Sequence, residues 1–492
     1  MKGERKQERM MTQSTKCIVA GLLATVLGSM TTAHAVTSIS WDERINLVSP
    51  TGNGHYPRLV KIRMGAHAGD LLLFFQSQQT GGDFYQSRST DNGHSWGAAQ
   101  LILNSGGTWN HASCNVIQLN DGRLLMTYQR RLREGTFAKN RFIYVRWSSD
   151  GGDTWSAGTK AFTGDNWECR PIQVPNDMNG DGHDDIYVFF TQQCIPTTID
   201  EALADRTYTR GRAVAWFASY DNGVTWTDPN PERWTARIVH RNYLEDSTTP
   251  ETQNSGGGMP TPFILPNNRC AFVSEEIDYQ GSPRLVATDS NDWNWSGSAF
   301  TGAWTSVDYD GYGDESVYPA SDSNMWIVAG DEFGGAPYGV VLPNGNVAVS
   351  FNRKHLIRVW VGDANGERFQ EQEAPFGLGD GNHAMYSFIE PISDTEVLVG
   401  AHSDEDPAGA FIHLRRGTIS STAPPHLDCA PAATGTNLSL AWPAIYRGWI
   451  LEYKTNLLST GWTEVVGSQT NTDLTVPISP ASPAKFYRLR SP

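Results

Sequence analysis

Three copies of one short pattern constrain this chain most. Ser89-Thr90-Asp91-Asn92-Gly93-His94-Ser95-Trp96, Ser148-Ser149-Asp150-Gly151-Gly152-Asp153-Thr154-Trp155 and Ser219-Tyr220-Asp221-Asn222-Gly223-Val224-Thr225-Trp226 all read Ser-x-Asp-x-Gly-x-x-Trp. Asp caps nearby backbone N–H groups in a tight turn, and Gly tolerates the positive φ that such turns need. The closing Trp supplies a large apolar anchor against a sheet. One copy is an ordinary hairpin turn. Three copies at spacings of 59 and 71 residues mean repeated sheets.

Degenerate copies extend the series. Thr288-Asp289-Ser290-Asn291-Asp292-Trp293 lacks the Gly, and Gly362-Asp363-Ala364-Asn365-Gly366-Glu367-Arg368-Phe369 exchanges the first and last residues. The pattern resembles the Asp-box of the sialidase superfamily, in which the box is structural. Seventeen Trp, seventeen Tyr and 48 Gly suit an all-β protein with many turns. Runs such as Leu71 to Gln76, Arg123 to Gln129 and Asp185 to Thr191 read as alternating strands between turn residues. Residues 36–419, divided at about 64 per sheet, predict a six-bladed β-propeller of four-stranded blades.

The ends of the chain carry different messages. Lys2, Arg5, Lys6, Arg9 and Lys16 precede an apolar run from Cys17 to Leu27, and Ala33-His34-Ala35 follows. Residues 1–35 therefore read as a signal peptide, and an exported, periplasmic or extracellular protein is expected. The apolar run is too short to span a bilayer, so no membrane partner is expected. Residues 420–436 read as a Ser/Thr/Ala/Pro linker. Residues 437–492 then read as a small β-sandwich with strands at Leu438 to Trp442, Trp449 to Tyr453, Trp462 to Val466 and Leu474 to Ile478. Trp442-Pro443, Gly448-Trp449 and Tyr487-Arg488-Leu489-Arg490 resemble the fibronectin-III-like terminal modules of secreted bacterial hydrolases.

Net charge is -15, and loss of residues 1–35 takes it to -18. Such acidity argues against nucleic acid as a partner but leaves room for a local basic pocket. Five of the six cysteines lie beyond the signal, permitting at most two disulfides. Cys169 and Cys194 flank one predicted hairpin and form the best candidate pair. No Cys–His pattern points to a catalytic thiol.

One loop has the spacing of a calcium site. Asp177, Asn179, Asp181 and Asp185 occupy loop positions one, three, five and nine, with Gly182 at six and the His183 carbonyl at seven. Val188 stands where a full EF-hand has Glu, so the loop resembles those inserted in propeller hairpins. A structural Ca²⁺ is the expected ligand, and no organic cofactor is indicated.

Chemistry in a propeller belongs at one mouth of the channel, where inner strands converge. Glu168, beside Trp167 and just before a strand, has the setting that raises a carboxyl pKa for acid catalysis. Gly258-Met259-Pro260 opens a strand pair ending at Ser274-Glu275-Glu276, which turns at least one carboxylate toward the channel. Arg58, in His55-Tyr56-Pro57-Arg58, offers a bidentate group for a substrate carboxylate or hydroxyl. With Tyr386-Ser387, these motifs resemble glycoside hydrolase family 93, the exo-arabinanases of the sialidase superfamily. That resemblance implies Glu168 and Glu275 as paired catalytic carboxylates, with Tyr386 beside them and Glu276 as the alternative should the register slip. It implies a retaining exo-glycosidase and a poly- or oligosaccharide substrate; a monomer is expected. Two alternatives stay open. An exo-α-sialidase would use Arg58, Arg284 and Arg353 as an Arg triad, Tyr386 as nucleophile and Asp83 as acid. A propeller that binds glycans without cleaving them would use none of these for chemistry.

Overall fold

The computed structural model describes residues 37–48, 54–77, 82–132, 141–164, 166–175, 180–192, 213–226, 237–240, 257–276, 283–287, 325–327, 335–353, 356–376, 384–403, 411–421, 427–431, 437–442, 450–456, 461–468, 473–477 and 485–490. The segment read as a signal peptide lies outside them. So do Asp177, Asn179, Cys194 and the degenerate box at Thr288–Trp293.

Among the described residues the larger unit, 38–342 with 346–420, holds six four-stranded antiparallel sheets. The inner strands, in chain order, are His55–Lys61, Trp109–Gln118, Trp167–Gln173, Gly257–Ile264, Gly335–Val341 and Ala384–Pro391. Each packs on the next, and the sixth packs back on the first, so the sheets close into a ring. The protein is an all-β propeller. Its last sheet takes three strands from the end of this unit and its outermost strand, Thr37–Val48, from the beginning. Pairing the two ends of the unit in one sheet removes a free edge and fastens the ring.

The second strands explain where the core sits. Leu71–Gln76 and Ile186–Gln192 are buried at every position, not at alternate ones as their sequence was read. Each is covered on both faces by neighbouring sheets, so both faces select apolar residues. Phe189 of the third sheet and Phe272 of the fourth, 5.9 Å apart, are one such contact.

The Asp-boxes join third strand to fourth, at the end of the ring opposite the start of the inner strands. In all three the geometry repeats. The Ser hydroxyl donates to the Asp carboxylate at 2.7–2.8 Å and accepts the Gly N–H at 2.7–2.8 Å. The same carboxylate accepts the N–H four residues on, from Ser95, Thr154 and Thr225, at 2.8–2.9 Å. These bonds, first those from Ser95, hold the exposed Asp91 carboxyl well below its usual range. Trp155 meets Phe74 of the preceding sheet edge-on at 5.9 Å, so the box also staples neighbouring sheets.

The smaller unit includes residues 421–492 and contains two three-stranded sheets. One joins Asp428–Pro431, Asn437–Ala441 and Asp473–Pro477; the other joins Thr463–Glu464, Ile450–Lys454 and Phe486–Arg490. The strand Asp428–Pro431 falls inside the stretch read as linker. Leu438, Leu440, Trp442, Leu451, Val476 and Tyr487 form its core.

Candidate active site at the channel mouth

Every inner strand carries the same distortion near its start. Its pairing with the second strand skips at a bulge, and one residue inside that bulge has positive φ. These residues are Tyr56 (50°), Ser113 (55°), Glu168 (44°), Met259 (49°), Ala336 (52°) and Tyr386 (54°). A non-Gly residue held there costs about 1–3 kcal/mol, which persists only where the surroundings impose it. Bulges re-aim side chains. Here they bring Tyr56, Met259 and Ala336 into one cluster, with Tyr386 packed against it.

Both carboxylates expected from the sequence belong to this place. Glu168 and Glu275 are only 7% and 8% exposed, so each must find polar partners inside the protein. The Thr191 hydroxyl donates to Glu168 Oε2 at 3.1 Å and accepts the Met259 N–H at 2.7 Å. Glu275, cross-strand from Gly258, accepts the Ala336 N–H on Oε2 at 2.9 Å. A side chain at Gly258 would stand 3.2 Å from Glu275 Oε1 and 3.4 Å from Thr191 Cγ2. Gly258 and Thr191 therefore form the strip that the two carboxylates border. Glu276 pairs with Gly257 one step nearer the strand end.

Tyr386 lies on Tyr56, ring centroids 3.8 Å apart, and His402 stacks beyond it at 5.2 Å. Burial first, then Tyr386 and Glu168, push the Tyr56 hydroxyl well above its usual value; it shares a side-chain hydrogen bond with Tyr386. Tyr56 thus stays protonated between two other polar groups of the site. Sequence reasoning quoted Tyr56 but gave it no role.

Two residues beyond the positive-φ residue of each of the first five inner strands stands a side chain of a second ring, below the first. Arg58 donates from Nε to Asn115 at 3.1 Å and from Nη1 to the carbonyls of Pro57, Tyr386 and Ser387 at 2.7, 3.2 and 3.4 Å. Asn115 donates to the Cys169 carbonyl at 2.9 Å, and Thr261 to the Pro337 carbonyl at 3.1 Å. Asn115 and Thr261 each tie their own sheet to the bulge of the next, and Arg58 ties the first sheet to the bulge of the sixth. Arg170 donates to Thr261 and stacks 4.5 Å from the Tyr338 ring centroid, with Arg58 5.5 Å from the same ring. Both guanidinium groups interact electrostatically with Glu168. Tyr338 donates to Glu390, whose carboxyl is raised by burial to about 7.

The remaining expected residues stand elsewhere. Arg58, expected as an open cation for substrate, is 3% exposed and braces Tyr386 from beneath. Arg284 is buried at the start of the third strand of sheet four, opposite Ser274, and Arg353 ends the second strand of sheet five. Asp83 accepts the Ser105 N–H at 2.7 Å. Of the calcium set, Asp181 accepts the His183 N–H at 2.9 Å and Asp185 is fully buried. Cys169, expected to pair with Cys194, is a free buried thiol pushed up to about 12 by desolvation. Its place among Ile143, Phe190 and Phe217 gives that thiol a packing role instead.

No family model matches the chain, and no curated protein matches it. Among solved structures, a protein of unknown function from Dyadobacter fermentans is similar at a TM-score of 0.54 and 12% identity, covering 78% of this chain and 100% of that one. A Penicillium chrysogenum alpha-L-arabinanase complexed with arabinobiose gives 0.47 and 17%, covering 76% and 98%. Trypanosoma rangeli sialidase gives 0.43 and 10%, covering 75% and 55%. The first likeness shows a shared fold, and the other two are weaker.

Proposed function

We propose that this chain, a propeller of sialidase-superfamily fold, is a retaining exo-glycoside hydrolase of arabinan-type or related polysaccharide. The observation that carries the reading is the pair Glu168 and Glu275, two mostly buried carboxylates bordering the same Thr191–Gly258 strip at the channel mouth. Retaining hydrolysis needs two such groups, one to attack the anomeric carbon and one to protonate the leaving oxygen.

The reading gives each carboxylate one role. In this reading Glu168, which accepts the Thr191 hydroxyl and interacts with the Arg58 and Arg170 guanidinium groups, is the nucleophile. Glu275 then protonates the leaving oxygen and afterwards takes a proton from the water that frees the sugar. The protonated Tyr56 holds the Tyr386 hydroxyl, which stands beside the forming bond. A sialidase reading has less support, because a substrate carboxylate needs free, converging cations. Nε and Nη1 of Arg58 are already committed to Asn115 and to backbone carbonyls.

The test is product release from arabinan, arabino-oligosaccharides and a fluorogenic sialoside by the mature protein and by Glu168→Gln and Glu275→Gln. Release from the arabinose substrates, falling about 10²–10⁴-fold in either variant, is expected. Release from the sialoside alone replaces arabinan with sialic acid. No release from any of them refutes the hydrolase and leaves a glycan-binding propeller. A crystal structure adds a geometric check: carboxyl groups roughly 5–5.5 Å apart fit retention, and a gap near roughly 8 Å means inversion.

A further inference from the structure

The strip that Glu168 and Glu275 border does not end at Glu275. Gly258, cross-strand from Glu275 in the fourth sheet, has a counterpart in the fifth, where Gly335 lies cross-strand from Asn352. A Cβ at Gly335 would stand 3.2 Å from Asn352 Nδ2 and 3.4 Å from Glu275 Oε2, so amide and carboxylate flank the same glycine. Glu275 thus has Oε1 beside Gly258 and Oε2 beside Gly335. We propose that Asn352 is a substrate-binding residue whose amide holds a hydroxyl of the leaving sugar, the unit on the Glu275 side of the cleaved bond.

Three observations point that way. First, the Asn352 amide oxygen is idle where its counterparts are engaged. Gln76, Thr191 and Glu275 stand at the same register of their sheets, each opposite the residue that precedes a positive-φ residue. Each accepts the N–H of the positive-φ residue in the next sheet: Ser113 at 3.1 Å, Met259 at 2.7 Å and Ala336 at 2.9 Å. Asn352 Oδ1, at that register of the fifth sheet, is buried and has no hydrogen-bond partner among the described residues. A buried acceptor left unpaired costs stability, and a ligand that donates to it removes the cost. A sugar hydroxyl can do so, and it can also accept from the amide nitrogen. Second, the floor is bare. His55, Ala112, Trp167 and Met385 precede the positive-φ residue in four sheets, whereas Gly258 and Gly335 do so in the fourth and fifth. Neither glycine has positive φ, so the backbone does not call for it. Glycine inside a strand often marks a close approach of a ligand to the backbone. Third, the order around the ring sets the side. Glu168, Glu275 and Asn352 belong to the third, fourth and fifth sheets in turn. A retaining enzyme sets nucleophile and acid on opposite faces of the anomeric carbon, so the leaving unit emerges on the acid's side, toward Gly335 and Asn352.

The inference rests on the hydrolase reading for which unit leaves, and its test keeps the two apart. The mature protein and Asn352→Ala are compared by kcat/KM on two kinds of substrate. Arabino-oligosaccharides have a sugar as leaving group; nitrophenyl glycosides of arabinose and arabinobiose have a flat ring with no alcohol to hold. The loss in the variant should be roughly tenfold larger on the oligosaccharides than on the nitrophenyl glycosides. Because Oδ1 braces no neighbouring sheet, the melting temperature should not fall. Should Asn352→Ala fail to fold, Asn352→Leu, of similar size and without the unpaired acceptor, takes its place. An equal loss on both kinds of substrate, no loss on either, or a lowered melting temperature in both variants overturns the assignment. The last result would make Asn352 a brace for the sixth sheet, as Gln76 is for the second. If the mature protein cleaves none of these substrates, the hydrolase reading fails and calorimetric titration with an arabino-oligosaccharide decides. Binding roughly tenfold weaker in Asn352→Ala would uphold the contact, and equal binding, or none by either protein, would overturn it.

Discussion

Glu390 offers a test of how the channel is held together. Its carboxyl accepts the Tyr338 hydroxyl, and burial raises it from 4.5 to about 7, against the pull of that bond and of Arg170 and Arg58. An acid whose folded pKa is raised binds more protons folded than unfolded. Its ionisation therefore costs nothing below about pH 4.5, costs progressively more up to about pH 7, and costs its full amount above. At about 1.4 kcal/mol per pH unit the ceiling is about 3 kcal/mol, and since the residue keeps some accessible surface, about 1–3 kcal/mol is expected. Glu390→Gln removes the titration and still accepts from Tyr338. Urea denaturation at pH 5, 6, 7 and 8 should give the two proteins similar stability at pH 5 and a variant more stable by about 1–3 kcal/mol at pH 8. A difference independent of pH would refute the argument. A variant less stable at pH 8 would mean that the Glu390 charge is needed against Arg58 and Arg170, so that pairing outweighs desolvation.

Three further outcomes are expected. Gly223→Ala puts a Cβ 2.3 Å from the Trp147 ring at φ 86°, so it should lower stability by about 2 kcal/mol or more, read as a shifted denaturation midpoint; an unchanged midpoint would show that the third box does not staple its neighbour. Gly258→Ala crowds Glu275 Oε1 without backbone strain, so kcat should fall about tenfold or more at constant melting temperature, and an unchanged kcat would remove Glu275 from the chemistry. Chelation of Ca²⁺ should lower the melting temperature and leave the product unaltered, because the Asp177 to Asp185 loop ends where Val174 and Asp185 pair, far along the strand from Glu168; identical curves with chelator and with calcium would dismiss the metal.

What the sequence revealed follows from the range of the interactions. The hydrogen bonds that shape an Asp-box turn each close within five residues, as those among Ser89, Asp91, Gly93 and Ser95 do, so its chemistry stands written in nearly consecutive letters. The propeller followed from counting such units. Closure by Thr37–Val48 had no comparable signal, since it joins the two ends of the propeller unit and depends on nothing local.

The site was half legible for a different reason. Strand reasoning assumes that side chains alternate, so that Tyr56 and Arg58 share a face. The bulge between His55 and Arg58 breaks that parity, and the positive φ of Tyr56 turns its ring to the mouth while Arg58 goes below. The same break separates Glu168 from Arg170, and Tyr386 from Phe388. A one-residue slip moves a side chain to the other face, so one bulge per sheet is enough to exchange mouth and channel for every nearby residue. A faint mark of it was present. Tyr56, Met259 and Ala336 each precede a proline, and a proline, lacking an N–H, fits the unpaired position of a bulge better than a regular ladder. Three prolines at matching points of three inner strands are the local signal that puts Tyr56 beside Met259 and Ala336, and with it the partner of Tyr386.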